Sequence, residues 1–154
     1  MNPESILIVD DQPAILSTLS GILMDEGYDV QIAESGAEAI ASAQSTPPSL
    51  VLLDIWMPGM DGLETLTRLR VLLPETRVIM MSGHGSIETA AKTIKLGAYD
   101  YIEKPLSLEK VVMLVKHAVD ELRLQRENQA LKAQVARQSA GTGEGPASEP
   151  PSDT

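Results

Sequence analysis

The chain has 154 residues, 43% of them hydrophobic, with no cysteine. That length suits about one domain and excludes a disulfide scaffold, a thiol nucleophile and a Cys-ligated metal. Its net charge of −10 is unevenly spread, the first Lys or Arg being Arg68, so the amino-terminal half suits divalent cations or basic protein patches and is a poor nucleic-acid surface.

The opening MNPESILIVDD lacks the basic and long apolar regions of a signal peptide. No later run reaches the roughly 18 apolar residues of a membrane span, and the expectation is a cytoplasmic chain with no membrane contact. With no Phe, one Trp and three Tyr, the core has to be aliphatic.

The first apolar run, ILIV at 6–9, ends in the acid pair Asp10 and Asp11. A helix follows over 13–26, with Ile15, Leu16, Leu19, Ile22 and Leu23 on one face, Pro13 in its first turn and Gly27 at its carboxy-terminal cap. YDVQIA at 28–33 reads as a second strand and 35–45 as a helix. LVLL at 50–53 runs into Asp54 and the turn IWMPGMDG, and 61–72 reads as the next helix. RVIMM at 77–81 ends at Ser82, 86–96 is helical, AYDYI at 98–102 leads to Lys104, and a last helix starts at 107.

Short apolar strands alternating with helices predict a parallel sheet covered on both faces, an α/β, doubly wound, flavodoxin-like fold of five strands. The first, third and fourth runs are almost wholly apolar, as central strands are, and the second and fifth carry polar residues, as edges do. That pattern favours the order 2-1-3-4-5, one of the common orders of doubly wound sheets.

The last helix outruns such a domain. No Gly or Pro interrupts 108–137, and Leu124, Asn128, Leu131 and Val135 are spaced four, three and four. This is a candidate coiled-coil seam with Asn128 at a register-setting position, and a solvated amphipathic extension is the plain alternative. The closing SAGTGEGPASEPPSDT is small, acidic and rich in Pro and Gly, so disorder is expected there. The organisation expected is a domain over 1–120, a helical extension over 121–138 and a disordered tail over 139–154.

In a doubly wound sheet, ligands bind beyond the carboxyl ends of the strands. Asp10 and Asp11, Asp54, Ser82 and Lys104 all fall at that rim. Three carboxylates meeting there repel one another and resist ionising unless compensated. A hard divalent cation with oxygen ligands, Mg²⁺ above all, is the economical compensation. Lys104 adds a positive charge and Ser82 a donor, so the rim suits negative charge placed on or beside an aspartate. Phosphoryl transfer to a carboxylate needs such groups. Asp54, alone at its strand end, is expected to be the most exposed acid and the nucleophile, and Asp10 and Asp11 the metal holders. No phosphate-binding glycine loop for ATP is present, so the phosphoryl group has to come from another protein or a small phosphodonor.

The acid pair in LIVDDQP, the central LVLLDIWMPGMDG, the hydroxyl in MMSGHG and the lysine in YDYIEKP resemble, in joint order and spacing over about 4–120, a response-regulator receiver domain of two-component systems. DIWMPGMDGLE and SGHGSIETAAKTIKLGAYDYIEKPL look especially similar to receivers of nitrogen-regulatory, sigma-54-dependent activators. The resemblance implies that Asp54 accepts a phosphoryl group from a histidine of a sensor kinase or phosphotransfer protein. It implies that Asp11 binds Mg²⁺ directly, Asp10 largely through water, and Asp54 and the Trp56 backbone carbonyl also. Ser82 and Lys104 would engage the phosphoryl group, Ser82 and Tyr101 would form the switch, and Pro105 matches the family's cis-peptide position. The face of the fourth helix, fifth strand and fifth helix, with Lys92 and Lys95, would then change, with a homodimer through the helical tail as one output.

Plainer roles compete for several residues. His84, two beyond Ser82, reads as an exposed loop histidine, His117 as a surface residue, and Met57, Met60, Met80 and Met81 as packing. Gly59 and Gly62 read as turn and helix-start residues. At the level of the whole chain, a constitutive interaction or dimerisation module is the alternative to a switch, and a metal-dependent phosphohydrolase is a third reading disfavoured by the motif order. With no ATPase loop and no helix-turn-helix after residue 137, the chain is either a stand-alone receiver or a piece of a longer regulator.

Overall fold

The computed structural model describes residues 4–83 and 87–142, with side chains through 138. The strands are β1 (Ser5–Val9), β2 (Asp29–Ala33), β3 (Leu50–Asp54), β4 (Arg77–Ser82) and β5 (Asp100–Glu103). They alternate with α1 (Pro13–Asp25), α2 (Gly36–Ser45), α3 (Gly62–Leu72), α4 (Ile87–Lys95) and α5 (Leu108–Thr142). All pairings are parallel, in the order β2-β1-β3-β4-β5. The expected order therefore holds.

Successive residues of a strand point to opposite faces, and each face here has its own aliphatic layer. Ile6, Ile8, Leu50, Leu52, Ile79 and Met81 pack with Leu16, Leu19 and Leu23 of α1 and with Val111, Val115 and Ala118 of α5. Leu7, Val9, Val51, Leu53, Val78 and Met80 pack on the other side with Ala39 and Ala43 of α2 and Leu66 and Leu69 of α3. Every residue of β3 is buried, whereas β2 is mostly exposed or half-buried. Removing one Leu of β3 to Ala costs about 2–5 kcal/mol, because both faces are too tightly covered to collapse around the gap.

Helix boundaries follow local chemistry. Pro13 opens α1, where a missing N–H costs nothing, and Gly27 past its end takes φ 95°, a conformation open to glycine. Asp61 caps α3, its carboxylate accepting the Glu64 N–H at 2.9 Å.

Contacts divide the chain into two units, one ending at Val119 and one beginning at Asp120. The second is the continuation of α5, which runs to Thr142, four residues into the stretch expected as tail; 143–154 lie outside the described residues. Along it the seam residues Leu124, Leu131 and Val135 are exposed, as is Asn128.

Candidate functional site

Register builds the site. Val9 is level with Leu53, so Asp10, one step on, comes level with Asp54. Asp54 pairs with Met81 and Ser82 pairs with Glu103, so Ser82 and Lys104 each stand one step beyond their neighbour strand. The staggered strand ends thus bring residues from four separate segments to one rim.

Asp10 is fully buried. Its Oδ1 accepts the Gln12 N–H at 2.9 Å and its Oδ2 accepts from Lys104 Nζ at 2.8 Å. Both its oxygens therefore have partners within the chain, one local and one 94 residues away. Lys104 Nζ also stands 3.6 Å from Asp54 Oδ1. Asp11, by contrast, is exposed.

Asp54 is only 4% exposed, which corrects the expectation that it is the most exposed acid. The reason is its central position in the sheet: β3 stays paired through Asp54, and the next N–H, of Ile55, still bonds to Met81 O at 3.0 Å. The start of α3 closes in from beyond. Gly62 N–H donates to Ile55 O at 2.8 Å, and a Cβ on Gly62 would lie 2.3 Å from Asp54 O. Gly62 is therefore required by close approach, a stronger reason than helix initiation.

Burial pushes the Asp54 carboxyl up from 3.8 to about 6, and the neighbouring Asp10 adds to the rise. Lys104 and a backbone hydrogen bond from Trp56 oppose it, and Asp11 contributes the smallest upward push. Oxygens of Asp10, Asp11 and Asp54 lie within 4.8 Å of one another. Three oxygen donors so close, one of them made basic by its surroundings, form a donor set that fits a hard divalent cation.

Asp11, Asp54, Trp56, Gly83 and Lys104 line a cavity of about 180 Å³ over this cluster. A larger apolar groove of about 570 Å³, walled by Ile15, Leu19, Pro105, Leu106 and Leu108, adjoins it and shares Gln12 and Lys104 with it. The smaller polar cavity is where the carboxylates meet, and size is no guide to the chemistry here.

Ser82 is buried, and its Oγ accepts the indole N–H of Trp56 at 3.0 Å. Sequence reasoning assigned Trp56 only a backbone role and missed this side-chain bond. A strand-end serine and a loop tryptophan 26 residues apart carry no local signal of contact. Tyr101 is half-buried, its hydroxyl buried and without a hydrogen-bond partner among the described residues. Lys104–Pro105 is a cis peptide. Met57, Met80 and Met81 are core residues and His117 is exposed beside the Tyr99 ring. His84 lies outside the described residues.

A parallel 2-1-3-4-5 sheet with an acid triad and a lysine at its carboxyl rim is an arrangement of the receiver-domain class. The family model for the response regulator receiver domain matches residues 6–116, and the chain belongs to that family.

Among curated proteins, it is 47% identical over 129 residues to the nitrogen assimilation regulatory protein NtrX of Azorhizobium caulinodans, covering 82% of this chain and 28% of the relative. Among solved structures, the receiver domain of NtrX from Brucella abortus has a TM-score of 0.71 at 42% identity, covering 75% of this chain and 98% of that one. A CheY-like receiver domain protein of Methanospirillum hungatei has a TM-score of 0.77 at 36% identity, covering 80% and 98%. The chain thus spans somewhat over a quarter of the length of the curated NtrX relative it matches.

Proposed function

We propose that Asp54 accepts a phosphoryl group from a phosphohistidine of a sensor kinase or phosphotransfer protein, with Mg²⁺ present, and that the modification switches a protein-interaction face. The observation carrying this reading is the convergence of Asp10, Asp11 and Asp54 beside Lys104, with Asp54 poised near 6.

An Asp54 oxygen attacks phosphorus, an acyl–phosphate bond forms, the phosphorus–nitrogen bond breaks, and histidine leaves with the electron pair. Mg²⁺ would neutralise charge on the phosphoryl oxygens when bound. Asp11, exposed, and Asp54 would hold it directly together with the Trp56 carbonyl. Asp10, with Gln12 and Lys104 already on its oxygens, would act through water. Lys104, 3.6 Å from Asp54, would follow the new negative charge, and the Ser82 hydroxyl would donate to it. The apolar groove beside Lys104 is where a donor's helix would seat, close enough to present its histidine to the cavity.

A phosphoryl group adds roughly −1.5 to −2 charges, and drawing Ser82 and Lys104 inward makes room beside Tyr101. The face of α4, β5 and α5, with Lys92 and Lys95, is the output surface on this reading. The exposed Leu124, Leu131 and Val135 support self-association through α5 as one output, with Asn128 setting register. The chain acts as acceptor and switch and not as an enzyme. It makes no direct nucleic-acid contact, and its output partner is another protein. No described helix is long and apolar enough to cross a membrane, and the reading places the chain in the cytoplasm, as part of a regulator of the NtrX kind.

The test is incubation with acetyl phosphate and Mg²⁺ followed by intact-mass analysis. Wild type should gain one phosphoryl group, and Asp54→Ala none. No gain in wild type, or an equal gain in the variant, would overturn the assignment.

A further inference from the structure

The Trp56 side chain is the part of the site that phosphoryl chemistry leaves unused. Its ring is 52% exposed, yet its one polar atom is turned inward, Nε1 donating to Ser82 Oγ at 3.0 Å. An indole N–H can only donate, so the direction of this bond is fixed and one acceptor position of the hydroxyl is taken by it. Ser82 is 1% exposed, so rotation of its side chain is governed by the few groups it touches.

Trp56 lines the cavity above the carboxylates, together with Asp11, Asp54 and Lys104, whereas Ser82 is not part of that lining. The Ser82 oxygen thus accepts from the indole and stands outside the lining of the cavity that would receive a phosphoryl group. The Trp56 backbone is at the same time one of the groups that favour the charged form of the Asp54 carboxyl. A single residue, two positions after Asp54, therefore reaches across to the end of β4.

We propose that Trp56 is a positioning residue that holds Ser82 in the unphosphorylated conformation, so that the indole N–H must release the hydroxyl before it engages a phosphoryl group on Asp54. This inference rests on the phosphoacceptor reading of Asp54. A contact made in one of two states and lost in the other biases the equilibrium between them by its own free energy. One neutral hydrogen bond is sufficient for roughly a three- to tenfold bias.

The test uses the full chain and beryllofluoride, a phosphoryl mimic, titrated with Mg²⁺ by calorimetry. Trp56→Phe keeps a ring and removes the N–H, and should bind the mimic roughly three- to tenfold more tightly than wild type. In a Ser82→Ala background the same substitution should change affinity little, because the coupling needs both partners. A ring that served only packing would act equally in both backgrounds.

As a second measurement, the single tryptophan yields one indole N–H resonance, which should move when Mg²⁺ and beryllofluoride are added to wild type. Ser82→Ala without ligand should move it in the same direction. Unchanged or weaker binding by Trp56→Phe, an equal gain in the Ser82→Ala background, or an indole resonance indifferent to Ser82→Ala would overturn the inference. If wild type binds no mimic and takes no phosphoryl group, the phosphoacceptor reading itself fails and this one falls with it. If wild type binds and Trp56→Phe matches it, only the positioning role is lost.

Discussion

Lys104 is bonded to Asp10, 2.8 Å from its Oδ2, and stands 3.6 Å from Asp54 Oδ1. The ammonium thus neutralises a fully buried carboxylate, leaving Asp54 with partial compensation and a raised pKa. The same cation is within reach of negative charge added to Asp54, so the pairing with Asp10 is also the starting position for a transfer of partners.

Removing Lys104 leaves the Asp10 charge buried with only the Gln12 N–H for company. Lys104→Met should cost about 3 kcal/mol in urea unfolding at neutral pH without divalent cations. Adding Asp10→Asn to that variant should restore most of the loss, since no uncompensated charge then remains. If the double variant is as unstable as the single one, the pairing is not what Lys104 contributes.

Asp54 links stability to pH in the direction opposite to an ordinary paired carboxylate. Its folded value, about 6, lies above 3.8, so the folded state binds more protons between those values. The contribution is fully present below 3.8 and is lost as pH rises through about 6. Asp54→Asn should therefore stabilise the cation-free protein at pH 7.5, by up to about 3 kcal/mol. The gain should fade as pH drops through 6 and be absent near the unfolded value. Denaturant midpoints of the two proteins compared across pH check this, and a gain constant with pH would refute it.

Two glycines in helices should respond with opposite sign. Gly21, inside α1, has nothing within 4 Å of an added Cβ, whereas one on Gly62 meets Asp54 O at 2.3 Å and Ile55 Cα at 2.5 Å, both backbone. Gly21→Ala should stabilise by about 0.5–1 kcal/mol. Gly62→Ala should cost about 2–3 kcal/mol and slow phosphoryl uptake, because the Asp54 backbone has to yield. Thermal melts and acetyl phosphate labelling measure both effects.

The Tyr101 hydroxyl is buried without a hydrogen bond among the described residues, an arrangement that costs free energy in the conformation seen. Tyr101→Phe should raise stability by about 1 kcal/mol. A loss of stability on urea unfolding would mean that the hydroxyl has a partner in solution.

Much of this protein was legible in the chain. Apolar runs ending abruptly in Asp10, Asp54 and Ser82 mark both the strands and the rim, because burial on two faces demands continuous apolar sequence and the polar residue ends it. Fully apolar runs against mixed ones separated the central strands from the edges. Pro13 and Gly27 marked helix ends through backbone chemistry that is local.

What tertiary structure decided is how the rim groups pair. That Lys104 sits closer to Asp10 than to Asp54, that Asp54 is enclosed rather than exposed, and that Trp56 bonds Ser82 all depend on lateral strand register. The enclosure of Asp54 depends also on the approach of α3 through Gly62. These contacts join residues 94 and 26 positions apart. Local propensity extends only a few residues, so hydropathy and motif spacing could name the participants, and only packing could choose their partners.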